Sequence, residues 1–248
     1  MFDFVIESPV CARHIRQMLA QPSLSALPQS DFAFAGQSWT ALPQGALYWR
    51  ERAALIVADL HFEKASAYAA RGQMLPPYDS RATLDVLEAL VDRMAPREIW
   101  CLGDSFHDTA AAARLSDDDR ARIACLTARC RWVWITGNHD PLPSRDLGGE
   151  TMHEALIDDV NFRHEARPGE AGWEISGHFH PKWRLSLRGR SVSRRCFVLG
   201  ARKLIMPAFG SLTGGLDAAA PAIRGLIGHG AQALVPLSDR LLRFAVQA

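Results

Sequence analysis

From Asp31 onward, short apolar runs alternate with polar loops, and several of those loops lead into stretches with helical spacing. Ala53–Ala58 (AALIVA), Glu98–Leu102 (EIWCL) and Arg131–Thr136 (RWVWIT) are apolar enough to be buried strands. Asp79–Ala95 carries Leu84, Val86, Leu87, Leu90, Val91 and Met94 close to helical spacing, with Asp79 or Ser80 as its cap and Pro96 as its stop. Ser116–Arg129 opens on a serine and three aspartates, which suit the positive end of a helix. After Gly149 the pattern changes to short strand-like segments near Thr151–Ile157, Asn161–His164, Trp173–Ser176, Arg184–Leu187, Cys196–Leu199 and Lys203–Met206. Helix–strand alternation followed by a β-rich half predicts an α/β fold: two β-sheets packed face to face with helices outside.

The first thirty residues differ from the rest. Gln21–Ser30 (QPSLSALPQS) is rich in Pro, Ser and Gln and reads as a linker, so 1–30 are a variable N-terminal tail and 31–248 the domain. A chain of 248 residues can bury a sizeable core without disulfide or metal staples. Its 28 basic and 27 acidic residues leave a formal charge of +1, which excludes bulk polyanion binding but not a local basic patch. No apolar run is long enough to span a membrane. The first residues, MFDFVIESPVCARH, place no basic region ahead of an apolar core, so no secretory signal is expected. Five cysteines without a CxxC pair point to a reducing, cytoplasmic setting.

The chemistry gathers after four of the apolar runs. IVADLH ends at Asp59 and His61; IWCLGDSFHD carries Asp104, His107 and Asp108; VWITGNHD carries Asn138, His139 and Asp140; WEISGHFH carries His178 and His180. Ligands in open α/β sheets collect beyond the carboxyl ends of strands, so the four loops are expected to converge. Carboxylate, imidazole and amide together suit Mn, Fe or Zn. There are more such groups than one ion uses, and no thiolate among them, which favours a pair of ions sharing a bridging carboxylate. Gly103, Gly137 and Gly177 also permit sharp turns at these strand ends.

In order and spacing, Asp59-x-His61, Gly103-Asp104, Gly137-Asn138-His139-Asp140 and Gly177-His178-x-His180 resemble the calcineurin-like metallophosphoesterases. ADLHFEKASAYAARG, LGDSFHD, FRHEARPGE, SGHFHP and LIMPAFGSLTGGLD narrow the resemblance to the ligase-associated DNA damage response endonucleases. That resemblance implies a metallophosphoesterase sandwich of two mixed β-sheets flanked by helices. It implies two divalent metal ions, most simply Mn, with Fe or Zn as alternatives. Asp59, His61, Asp104 and His180 would hold the first, Asp104 would bridge, and Asn138, His178 and a further histidine would complete the second. His164, closing NFRH, matches that histidine best, with His153 its rival. His139 would be the general acid or a phosphate contact. Many relatives carry GDxxDRG at the second block. Here His107 and Asp108 follow and no Arg-Gly does, which removes a familiar phosphate-binding arginine and leaves His107 to touch the phosphate or orient Asp104.

Pro181–Leu204 contains Lys182, Arg184, Arg188, Arg190, Arg194, Arg195, Arg202 and Lys203 and no acidic residue. Lys182, Arg184, Arg194 and Arg195 are candidate DNA contacts, with Trp183 or Phe197 available to stack on bases of a single strand. Pro207–Asp217 is Gly-rich but lacks GK[ST], so it is read as a turn-rich connection near the site rather than a nucleotide loop. The expected activity is an attack of a two-metal-activated hydroxide on a DNA phosphodiester, an endonuclease step in repair. The resemblance implies a DNA ligase, a helicase and a nuclease-like protein as partners. Hydrolysis of cyclic nucleotides or other small phosphodiesters is the first alternative, and a non-catalytic scaffold in a repair complex is the second.

Overall fold

The computed structural model describes residues 30–140, 145–187 and 190–246. Apart from Ser30, the tail read at 1–30 lies outside the described residues.

Two seven-stranded mixed sheets form the body. The first runs β1 (Asp31–Phe34), β2 (Gln37–Ala41), β3 (Leu47–Trp49), β4 (Ala54–Val57), β5 (Glu98–Leu102), β6 (Arg131–Ile135) and β7 (Glu150–Met152) in spatial order. Its strands are antiparallel up to β4 and parallel from β4 to β7. In chain order the second sheet has β8 (Ala155–Ile157), β9 (Val160–Phe162), β10 (Trp173–Ser176), β13 (Phe197–Leu199), β14 (Lys203–Ile205), β15 (Gln232–Pro236) and β16 (Leu241–Ala245). Within it, β9, β10 and β14 are parallel neighbours. A separate hairpin, β11 (Lys182–Leu187) with β12 (Arg190–Arg195), leaves the body directly after β10.

The sheets face each other across Trp39, Trp49, Trp100, Phe162, Ile175, Phe197 and Leu204, all fully buried. The aromatic side chains among them remove roughly 150–250 Å² each from water, so this layer supplies much of the driving force for folding. Helices α1 (Lys64–Ala69), α2 (Asp79–Met94), α3 (Ala111–Arg114) and α4 (Asp117–Thr127) lie on the first sheet. There Leu84, Leu87, Leu90 and Val91 of α2 and Ile123 and Leu126 of α4 complete a second core. Helix α5 (Pro221–Ile227) covers the second sheet through Ile223 and Ile227.

Two expectations change. Thr151–Ile157 is two strands in different sheets, β7 and β8, because the chain crosses from one sheet to the other between Met152 and Ala155. Both are half-exposed edge strands, so their patterns run together in sequence. Asp79 and Ser80 do not cap α2, whose capping position is Tyr78. They turn back to accept the backbone N–H groups of Ala65 and Glu63, pinning the start of α1. Ser116, by contrast, caps α4 through the Asp119 N–H at 3.1 Å.

Candidate metal centre

Five parallel strands end at one place. Beyond β4 lie Asp59 and His61, beyond β5 Asp104 and His107, and beyond β6 Asn138 and His139; β9 leads to His164, and β10 to His178 and His180. The loops are joined to one another by backbone hydrogen bonds that prolong the sheets. Asp59 N–H donates to Gly103 O, His61 N–H to Asp104 O, Phe62 N–H to Ser105 O and Gly177 N–H to His164 O. The 207–217 segment closes the other side, with Phe209 and Gly210 donating to the carbonyls of Ala58 and Asp59.

Asp59, His61, Asp104, His178 and His180 all have φ between 46° and 72°. Left-handed backbone at non-glycine residues is rare and costs about 1–3 kcal/mol at each. Five such residues in three loops mark a place where side-chain position has prevailed over backbone ease. The glycines divide by role. Gly103 takes a positive φ of 75°, as a turn requires. Gly137 and Gly177 do not; they are glycines because a Cβ would strike the Asp104 backbone N and the Asp59 carboxylate respectively.

Two groups of potential ligand atoms result: Asp59, His61 and His180, and Asp104, His164 and His178, each with its atoms within 4.8 Å of one another. In the first, His61 Nε2 lies 3.4 Å from His180 Nε2, which is 3.3 Å from Asp59 Oδ1. In the second, His164 Nε2 is 3.4 Å from Asp104 Oδ2, 2.8 Å from Asn138 Oδ1 and 3.1 Å from His178 Nδ1. His178 Nδ1 is 3.0 Å from the same amide oxygen. Asp104 Oδ2 also stands 3.9 Å from His61 Nε2, so one carboxylate faces both groups.

The donor set fits divalent cations. Asp59 is 0% and Asp104 2% exposed, and no lysine or arginine pairs with either among the described residues. Buried carboxylates need a cation, and here only imidazoles are near. Burial drives the pKa of His61 down to about 3, keeping that ring neutral with a lone pair to give. Burial also lowers His178. At His164 burial is outweighed by Asp104 and Asp59, which hold its pKa up at about 9. Burial opposes ionisation of Asp104, yet His164 keeps it at about 2. His164 Nδ1 can only donate to the Leu102 carbonyl, at 3.1 Å, so Nε2 is the atom that faces the centre.

His139 sits at the mouth, its side chain 41% exposed and Nε2 3.9 Å from Asp104 Oδ2. Its Nδ1 donates to the His107 carbonyl at 2.8 Å, which leaves Nε2 free to exchange a proton. The His107 ring stacks on that of His139 at 5.2 Å and 24°. Burial and the charge of Lys64 lower the His107 pKa to about 4. His153 lies apart: it is exposed, shares a hydrogen bond with Thr136, and belongs to neither group. Asp140 has a part that its sequence block does not reveal. It accepts from Phe106 N–H and Gly137 N–H, tying the second loop to the third, and burial lifts its pKa to about 7.

The basic hairpin is only partly open. Arg194 is exposed, and so is Arg184, 3.7 Å from Asp217. Lys182 donates to Thr213 O. Arg195 is consumed by the fold, its guanidinium donating to the carbonyls of Gln44, Phe209 and Gly210. The stacking expectation fails for both aromatics. Phe197 is fully buried between the sheets, and Trp183 packs on Phe244 in the core beneath α5.

The same arrangement of sheets occurs in a solved structure, the Pseudomonas putida nuclease MPE. The match has a TM-score of 0.67 at 29% identity and covers 86% of this chain and 98% of that one. The two mixed sheets flanked by helices are a metallophosphoesterase fold, as in this neighbour. No protein-family model matches it, and no curated protein does. Among the described residues, no helix is long and apolar enough to cross a membrane.

Proposed function

We propose that this chain is a metallophosphoesterase, a two-metal phosphodiesterase that cuts DNA internally, with 31–248 as its catalytic domain. The observation that carries the reading is the position of Asp104, whose carboxylate faces both ligand groups at once. Asp59, His61 and His180 would hold one divalent cation; Asn138, His164 and His178 would hold the other; Asp104 would bridge. Mn is the ion most compatible with this oxygen-and-imidazole set, ahead of Fe and Zn. Such a pair supplies a nucleophile at neutral pH and charge stabilisation for phosphoryl transfer.

The chain's own residues do the rest. In the protonated ring, which carries a hydrogen on each nitrogen, His139 would give the Nε2 proton to the departing oxygen and keep the Nδ1–H on the His107 carbonyl. His107 holds that ring by stacking and by accepting from its Nδ1–H. Lys182, Arg184 and Arg194 lie on the hairpin that follows the last ligands and would attract the polymer's phosphates. The likeness to a nuclease supports a nucleic-acid substrate. A role in repair beside a ligase and a helicase, in the cytoplasm, extends the sequence resemblance.

Capture of Arg195, burial of Phe197 and stacking of Trp183 on Phe244 favour a second reading, hydrolysis of small phosphodiesters. Both are tested by incubating the chain with single-stranded and duplex DNA circles, and with bis-p-nitrophenyl phosphate, across Mn, Fe, Zn and Mg. Opened circles support the endonuclease. Turnover of the small ester alone supports the second reading. Asp104→Asn is expected to lower turnover of any diester roughly a thousandfold, the equivalent of several kcal/mol of charge stabilisation. Full activity in that variant would defeat the assignment.

A further inference from the structure

A second polar surface reaches the centre along α1. Tyr68 of α1 lays its ring 5.7 Å from the ring of His107, which in turn stacks on His139. Residues four apart on a helix share a face. Lys64 precedes Tyr68 by four, and Arg71 follows it by three in the turn that ends the helix, with its N–H on Tyr68 O. The three therefore form one stripe directed along the His107 ledge, while Ala65 and Ala67 are turned into the body.

The stripe is unspent. Among the described residues, neither the Lys64 nor the Arg71 side chain makes a hydrogen bond or ion pair, and the Tyr68 hydroxyl has no partner. Lys64 is half-buried, and its charge bears on His61, His107 and Lys182, lowering all three. It thus lies within electrostatic reach of both the centre and the hairpin. The loop that follows leaves Met74 85% and Tyr78 67% exposed, two of the few large apolar side chains open to solvent among the described residues. Its position is set firmly from below, since Asp79 and Ser80 are fastened to the start of α1. Cations alternating with a half-exposed ring are the composition of a surface that follows unpaired nucleotides: phosphates to the cations, a base face to the ring.

The geometry points to the stripe Lys64–Tyr68–Arg71 as the track that holds a single strand beside the scissile phosphate, with Lys64 on the adjoining phosphate and Tyr68 under a base. This assignment rests on the phosphodiesterase reading above and adds the substrate's path to it. An unpaired strand is the form the surface accepts, because a base within a duplex has no free face for Tyr68.

The test is binding of a fluorescent oligothymidylate to the Mn-loaded full chain, followed by anisotropy across a salt series. Neutralising both cations (Lys64→Ala with Arg71→Ala) is expected to weaken binding at least tenfold and to make the slope of log K against log salt shallower by about 1.4. Lys64→Arg with Arg71→Lys restores both. Tyr68→Ala weakens binding about tenfold, whereas Tyr68→Phe does not. Arg93→Ala, exposed in the last turn of α2 at the end remote from α1, leaves affinity and slope unchanged. Unaltered affinity and slope in the doubly neutralised protein overturn the track. So does failure of the Arg/Lys exchange to restore binding, which would mark a structural role. Failure of the wild-type chain to cut either DNA circles or bis-p-nitrophenyl phosphate overturns the phosphodiesterase reading itself, a result distinct from either.

Discussion

His164 is held between burial, which disfavours its charge, and two aspartates, which favour it. The aspartates prevail and raise its pKa from 6.5 to about 9 in the metal-free chain. A folded value above the unfolded one means the pairing stabilises the fold fully below pH 6.5 and is lost as pH rises through about 9. The metal-free protein should therefore melt a few degrees lower at pH 9.5 than at pH 6.5, at about 2–4 °C per kcal/mol lost. Thermal scans in EDTA check this, and His164→Asn should flatten the dependence. A cation must displace the proton on Nε2, so Mn affinity should rise with pH over the same interval. In the sequence, His153 and His164 both look like histidines near a strand end. What separates them is three-dimensional: only His164 has Asp104 and Asn138 in front of it. Asp140 and Tyr68 were illegible for a related reason, since each acts on a residue many positions away.

At the scale of elements, strands flanked by clear turn chemistry could be read almost to the residue. Glu98–Leu102 and Trp173–Ser176 match their strands, and α2 ends one residue before the expected Ala95. The opening meander β1–β3 escaped because its strands are three to five residues long and alternate too briefly to stand out. The loops that bear the ligands were legible as motifs, but not the backbone hydrogen bonds that fasten them together. Those bonds make loop position sensitive to one methyl group. Gly177→Ala would push a Cβ into the Asp59 carboxylate. The expected outcome is a fold that persists, with melting lowered by about 1–3 kcal/mol, and a protein that retains less than one equivalent of Mn on gel filtration. Elemental analysis of the eluted protein reads the result.

For the whole molecule, the decisive fact is that the centre straddles the sandwich. Asp59, His61, Asp104 and Asn138 come from the first sheet, while His164, His178 and His180 come from the second. The face-to-face packing was expected from the sequence; that it would divide the ligands between sheets was not. Cations bound here would clasp the sheets, and the packing between sheets sets the distance across which they bind. Trp100 is fully buried in that layer, edge-on to Phe162, two residues before the strand carrying His164 turns toward the centre. Trp100→Phe should cost a few kcal/mol of stability and weaken Mn binding, although Trp100 touches no ligand. Titration calorimetry compared with the wild type would show it, and unchanged affinity would mean that the two halves are registered without this layer. Conversely, each ion at a hundredfold excess over its Kd should add about 2.7 kcal/mol to stability.

The left-handed backbone at Asp59 and Asp104 also limits how this protein can be silenced without being broken. Asparagine enters that region of conformational space several-fold more readily than most residues, whereas β-branched replacements resist it. An inert form of the chain, whether made at the bench or arrived at by drift, is reached most gently through asparagine at these two positions. A valine or threonine there would extinguish the chemistry by deforming the loops, and the result would say little about the carboxylate that was removed.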